Sequence, residues 1–83
     1  MRGYAQIVIE ANQKALLSIE GEAPLALRLG EVCIAKRYSI MAVAEKLNVS
    51  RQTVYDWFSG KATPQVAKND EIKVLIEELA RLI

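Results

Sequence analysis

Toward the end of the chain Ile72, Leu75, Ile76, Leu79, Leu82 and Ile83 recur at steps of three and four, the spacing that lines one face of an α-helix. Asn69 or Asp70 is the expected cap of that helix. Val74 and Ala80 widen the stripe beyond what one small core needs, so residues 72–83 are also a candidate seam between two copies of the chain. Near the start, Ile7, Val8, Ala11, Ala15, Leu16 and Ile19 fit a helix over residues 5–19. Ile7, Val8 and Ile9 are good strand formers too, which leaves a hairpin turning near Asn12 as the competing reading. Gly21 ends the segment and residues 20–23 make a short link. Pro24 opens the next helix, where its missing N–H costs nothing. Leu25, Leu29, Val32 and Cys33 share a face of it, and Lys36 and Arg37 fall in the last turn, at the negative end of the helix dipole.

The middle of the chain is more sharply punctuated. Tyr38 and Ser39 break the preceding pattern, and Ser39 suits the N-cap of a short helix over residues 40–47. Asn48 tolerates the left-handed conformation that closes a helix. Ser50 then caps a second short helix over residues 51–58, Gly60 stops it, and Pro64 forbids an easy continuation. Two such helices joined by a few residues cross steeply only over a small side chain, which Ala44 supplies. Val43, Leu47, Val49, Val54 and Trp57 are the apolar positions that lock the pair to a core. The expected fold is all-α, a compact bundle of four to five helices in one domain. An N-terminal helical segment (residues 1–23) precedes a helix-turn-helix unit with its C-terminal helix (residues 24–83).

A chain of 83 residues buries only about 60% of the surface exposed when unfolded. With 52% hydrophobic and 25% charged residues it is nonetheless a folding sequence and not a disordered one. Cys33 is the only cysteine, so no disulfide within the chain is available, and an apolar setting suits a buried thiol. Unpaired cysteine use fits a reducing compartment, and no signal peptide or bilayer-length apolar run is read, so a cytoplasmic location is expected. The net charge is +1, but residues 36–61 hold five basic and two acidic side chains, a local +3 between acidic flanks. There is no histidine, metal-ligand cluster, glycine-rich phosphate loop or isolated carboxylate pair. An enzyme, a metal or other cofactor, a small-molecule substrate and a membrane partner are therefore not expected.

Residues 40–59 resemble the helix-turn-helix of phage repressors and Cro proteins, and of the wider lambda-repressor-like group. The likeness is carried by Ala44, Leu47, Val49, Ser50, Val54 and Trp57, and by the ending Ser59-Gly60-Lys61-Ala62-Thr63-Pro64. It implies double-stranded DNA as partner, a homodimer, and a second helix lying in the major groove, which admits one α-helix. Arg51 and Gln52 are then the first readers of base edges, since Arg bonds bidentately to guanine and Gln to adenine. Tyr55 packs on a thymine methyl or reaches a phosphate. Asp56 accepts from cytosine or orients Arg51. Ser50, Thr53, Ser59, Lys61 and Thr63 are the expected phosphate contacts, which position without specifying sequence. The function implied is a sequence-specific transcription regulator of repressor or Cro type, in a phage or prophage setting. A DNA-binding adaptor for packaging or recombination shares the motif, and a helical protein-interaction module is the third reading.

Overall fold

The backbone changes direction where the sequence places Gly21, Asn48 and Gly60, all three with positive φ. The computed structural model describes residues 4–81, which form five helices and no strand. These are α1 (Gln6–Leu17), α2 (Leu25–Lys36), α3 (Ile40–Leu47), α4 (Arg51–Ser59) and α5 (Val66–Ala80). The central helix is α2, which packs against α1, α4 and α5. Leu29 and Cys33 of α2 are fully buried against Val43 and Leu47 of α3, Val54, Trp57 and Phe58 of α4, and Ile72, Leu75 and Leu79 of α5. This all-α bundle with a helix-turn-helix is the architecture expected from the sequence.

The helix-or-hairpin alternative at the N-terminus resolves as helix, with Asn12 in the middle of α1 and not at a turn. The apolar face is shifted from the expected one. Ile7 is 76% exposed, and the side turned inward carries Val8, Ala11, Asn12, Ala15 and Leu16. Asn12 is buried at 2% exposure and lies at the centre of that face. The helical period runs 8, 12, 15, 16, 19, so the polar residue sits where an aliphatic one is expected.

Two boundaries also differ. Arg37 is not in the last turn of α2 but forms its left-handed cap, at φ 60, with the Tyr38 amide donating to the Cys33 carbonyl at 2.9 Å. And α5 starts at Val66, a turn earlier than a cap at Asn69 or Asp70 allows; those two residues lie inside the helix. Gln65 holds the N-cap position without a side-chain bond. Pro64 disfavours helix at Thr63, and the Lys68 side chain ties the first turn of α5 to α3. The Lys68 ammonium donates to the Leu47 carbonyl at the end of α3 (2.6 Å) and lies 3.7 Å from the Glu71 carboxylate. The wide apolar stripe of α5 is mainly core: Ile72, Leu75 and Leu79 are buried and Ile76 is half-buried, so they are not a free seam. Val74 and Ala80 are exposed, while Leu82 and Ile83 lie outside the described residues.

Candidate nucleic-acid interface

The α3–α4 unit is built by local chemistry at each end of each helix. The Ser39 hydroxyl accepts from the Ala42 amide at 3.0 Å, satisfying one of the free donors of the first turn. Asn48 adopts φ 58, and the Val49 amide then donates to the Ala44 carbonyl at 3.0 Å. Ser50 repeats the capping role for α4, accepting from the Thr53 amide at 3.1 Å. Its hydroxyl also lies 2.8 Å from that of Thr53. Ala44 is buried in the core that α3 shares with α4. Gly60, at φ 83, closes α4 in the left-handed region that favours glycine.

This frame divides α4 into two sides. Val54, Trp57 and Phe58 are buried. Arg51, Gln52 and Tyr55 are exposed on the outer side, Tyr55 at 40%. Thr53, Asp56 and Ser59 are half-buried, and Ser50, Lys61 and Thr63 are exposed at the two ends. Asp56 has Gln52 as its partner: the Gln52 amide nitrogen donates to the Asp56 carboxylate at 3.0 Å. The Ser59 hydroxyl donates to the Asp56 carbonyl at 3.3 Å. The sites named from the sequence therefore form three groups. Arg51, Gln52, Tyr55 and Asp56 are together. Ser50 and Thr53 lie at the N-terminal end of α4, and Ser59, Lys61 and Thr63 at the other end, about 12 Å away by helix rise.

That α1 runs beside this surface is not legible in the residue pattern. Ile7, Val8 and Ala11 of α1 face Gln52, Tyr55, Asp56, Ser59 and Lys61 across a shallow groove of about 170 Å³. Arg51 lies outside this groove, while Gln52, Tyr55 and the later part of α4 line it with α1 alongside. Of the other lysines, Lys46 lies 3.6 Å from the Glu78 carboxylate and Lys68 is engaged as described. Among the described residues no cluster of His, Cys, Asp and Glu could hold a metal ion, and no helix is long and apolar enough to cross a membrane. Burial pushes the Cys33 thiol up to about 12, with the neighbouring Tyr4 hydroxyl acting in the opposite direction, so it is no nucleophile near neutral pH. Burial, with Cys33 and Tyr55 nearby, likewise raises the Tyr4 phenol, whose hydroxyl donates to the Tyr38 carbonyl.

The family model of the homeodomain-like domain matches residues 26–63, which span nearly all of α2 and the whole of α3 and α4. This match marks the three-helix unit as a helix-turn-helix DNA-binding domain. It does not single out the phage repressor and Cro type. No curated relative and no solved structure gives a significant match to the chain. Helices α1 and α5 lie outside the matched stretch, apart from the framework that the family model describes.

Proposed function

We propose that the chain is a sequence-specific transcription regulator that inserts the first turn of α4 into the DNA major groove. The observation that carries this reading is the two-sidedness of α4: Val54, Trp57 and Phe58 are sealed in the core while Arg51, Gln52 and Tyr55 stand exposed beside a capped N-terminus. A helix anchored on one side and polar on the other is free to enter a groove about 12 Å wide. Arg51 suits guanine and Gln52 suits adenine, with Asp56 holding the Gln52 amide in one orientation. Tyr55 packs on a thymine methyl or meets a phosphate. Ser50 and Thr53 at one end of α4, and Ser59, Lys61 and Thr63 at the other, serve the two phosphate ridges that bound the groove.

One recognition helix reads few base pairs, so a homodimer on a two-fold site is part of the proposal, as is the repressor-like or Cro-like role in a phage or prophage setting. With Ile72, Leu75 and Leu79 in the core, the apolar side chains α5 leaves for a second copy are chiefly Val66 and Val74.

The test is selection from a randomised DNA pool at moderate salt. An enriched palindrome supports both specificity and symmetry, and recovery of no preferred sequence refutes the reading. Arg51→Ala or Gln52→Ala should then weaken the selected site by about 1–3 kcal/mol and relax preference at one base position. Lys61→Ala should weaken all sequences alike and reduce the salt slope. Repression of a reporter carrying the selected site separates a regulator from a packaging or recombination adaptor.

A further inference from the structure

We infer that α1 sets the seating of α4 on the core, and that Asn12 is the positioning residue through which it does so. The inference rests on the reading of α4 as the helix that enters DNA. At the end of α4 the carbonyls of the last turn have no donors further along the helix. The Asp56 carbonyl takes the Lys61 amide at 2.9 Å and the Ala62 amide at 3.3 Å. The Trp57 carbonyl takes the Gly60 amide at 3.3 Å. The Phe58 carbonyl is served from another helix: the Asn12 side-chain amide donates to it at 2.8 Å. The same nitrogen reaches the Leu27 carbonyl of α2 at 3.3 Å. One buried amide thus ties α1, α2 and α4 at a single point.

The surroundings are shaped for this joint. Gly30 lies within α2, where glycine is a poor helix former. A Cβ added there would come within 2.7 Å of the Asn12 amide nitrogen and 2.9 Å of the Phe58 ring, so glycine lets the three helices close. Asn12 is the one polar residue in the core among those described. Apolar contacts between α1 and α4 tolerate sliding, whereas a hydrogen bond in a dry site fixes both height and rotation. Asn12 therefore fixes how far Arg51 and Gln52 project at the opposite end of α4. It touches no base itself.

The test compares Asn12→Leu, similar in size but without the donor, with Leu79→Ala. Leu79 is a core residue of α5, a helix that packs on α2 and α3 and not on α4. Both variants are assayed at a temperature where circular dichroism shows them folded. Asn12→Leu should speed amide hydrogen exchange at Gly60–Ala62 and lower the ratio of specific to non-specific DNA affinity about tenfold. Non-specific affinity and its salt slope should stay at the wild-type level. Leu79→Ala should leave the ratio within twofold of wild type. A folded Asn12→Leu protein with an unchanged ratio overturns the inference, as does an equal fall in Leu79→Ala. Should Asn12→Leu fail to fold, Asn12→Ser, which keeps a donor too short to reach both carbonyls, is read by the same two measurements and the same criteria. Wild-type protein with no sequence preference at all would sink the proposed function instead; the exchange rates then decide the α1 joint alone.

Discussion

The inner pair of short helices, α3 and α4, and the outer pair of longer ones, α1 and α5, are held in place by different physics. Helices α3 and α4 have 8 and 9 residues, begin at a serine whose side chain accepts a backbone bond, and end at a left-handed residue. Helices α1 and α5 have 12 and 15 residues, have no side-chain cap bond, and end in right-handed geometry. What places them is contact from a distance: Asn12 of α1 on the Phe58 carbonyl, and Lys68 of α5 on the Leu47 carbonyl. The inner pair is specified by its own few residues, and the outer pair by the inner pair. The homeodomain-like match, residues 26–63, covers the inner pair and α2 but stops short of both outer helices.

The largest effect separating the two pairs should come from Ala44→Leu. Ala44 is 6% exposed in the core that α3 shares with α4, and a leucine there adds three carbons to a packed cluster. Overpacking of this kind costs about 1–3 kcal/mol. For a domain of this size each kcal/mol lowers the Tm by roughly 4–8 °C. The contrasting change in the outer pair is Ile7→Ala, which removes a side chain 76% exposed on α1 and should stay within about 0.5 kcal/mol of wild type. Thermal melts of both variants check the pair. An unchanged melt for Ala44→Leu would mean the two helices do not cross closely at that residue.

The same division explains which parts of the fold are legible in the sequence. Ser39, Asn48, Ser50 and Gly60 each act on the backbone within a few residues of themselves, so their meaning is visible in sequence. They fix the ends of α3 and place Arg51, Gln52 and Tyr55 on the outer side of α4 as expected. For α5 the local rule misleads: Asn69 and Asp70 are good caps by type, yet the helix starts at Val66, with Lys68 of its first turn bonded to the distant Leu47 carbonyl. For α1 the residue that matters, Asn12, sits at the middle of an apolar period. That position, together with a glycine inside α2, is the one signal that could have revealed the joint. Neither residue names its partner, because Leu27, Gly30 and Phe58 are distant in sequence. The groove between α1 and the outer side of α4 follows from that joint and was equally invisible.

A smaller effect, set by pH, tests whether the N-terminal region is closed over α2. Cys33 is buried in α2, and its thiol proton is held until about 12, against an ordinary 9.0. The raised value means the folded state binds the proton more tightly than the unfolded one. Stability from this source is whole below about pH 9 and is lost as pH climbs toward 12. The Tyr4 phenol shifts the same way and adds to the loss at higher pH. At pH 10 the thiol should account for about 1 kcal/mol of lost stability. Urea melts between pH 8 and 10 measure it, and Cys33→Ala, though less stable throughout, should show a shallower decline. Parallel declines in both proteins would mean the thiol is not sealed in the folded state.

The finest contrast lies in the caps themselves. Ser39→Ala removes the acceptor for the Ala42 amide, and a lost serine cap costs about 1 kcal/mol. Asn69→Ala removes a residue that looks like a cap in sequence but lies inside α5, where alanine is the better helix former. Its expected effect is nil or a gain of a few tenths of a kcal/mol, on the order of ordinary helix propensities. Ser39 is preferred here to Ser50 because Ser50 is also a proposed phosphate contact, which would mix stability with binding. Chemical denaturation of the two alanine variants gives the answer from midpoints at constant slope. A loss in Asn69→Ala as large as that in Ser39→Ala would show that α5 too begins at a local signal. The two pairs of helices would then differ in length and not in the kind of force that places them.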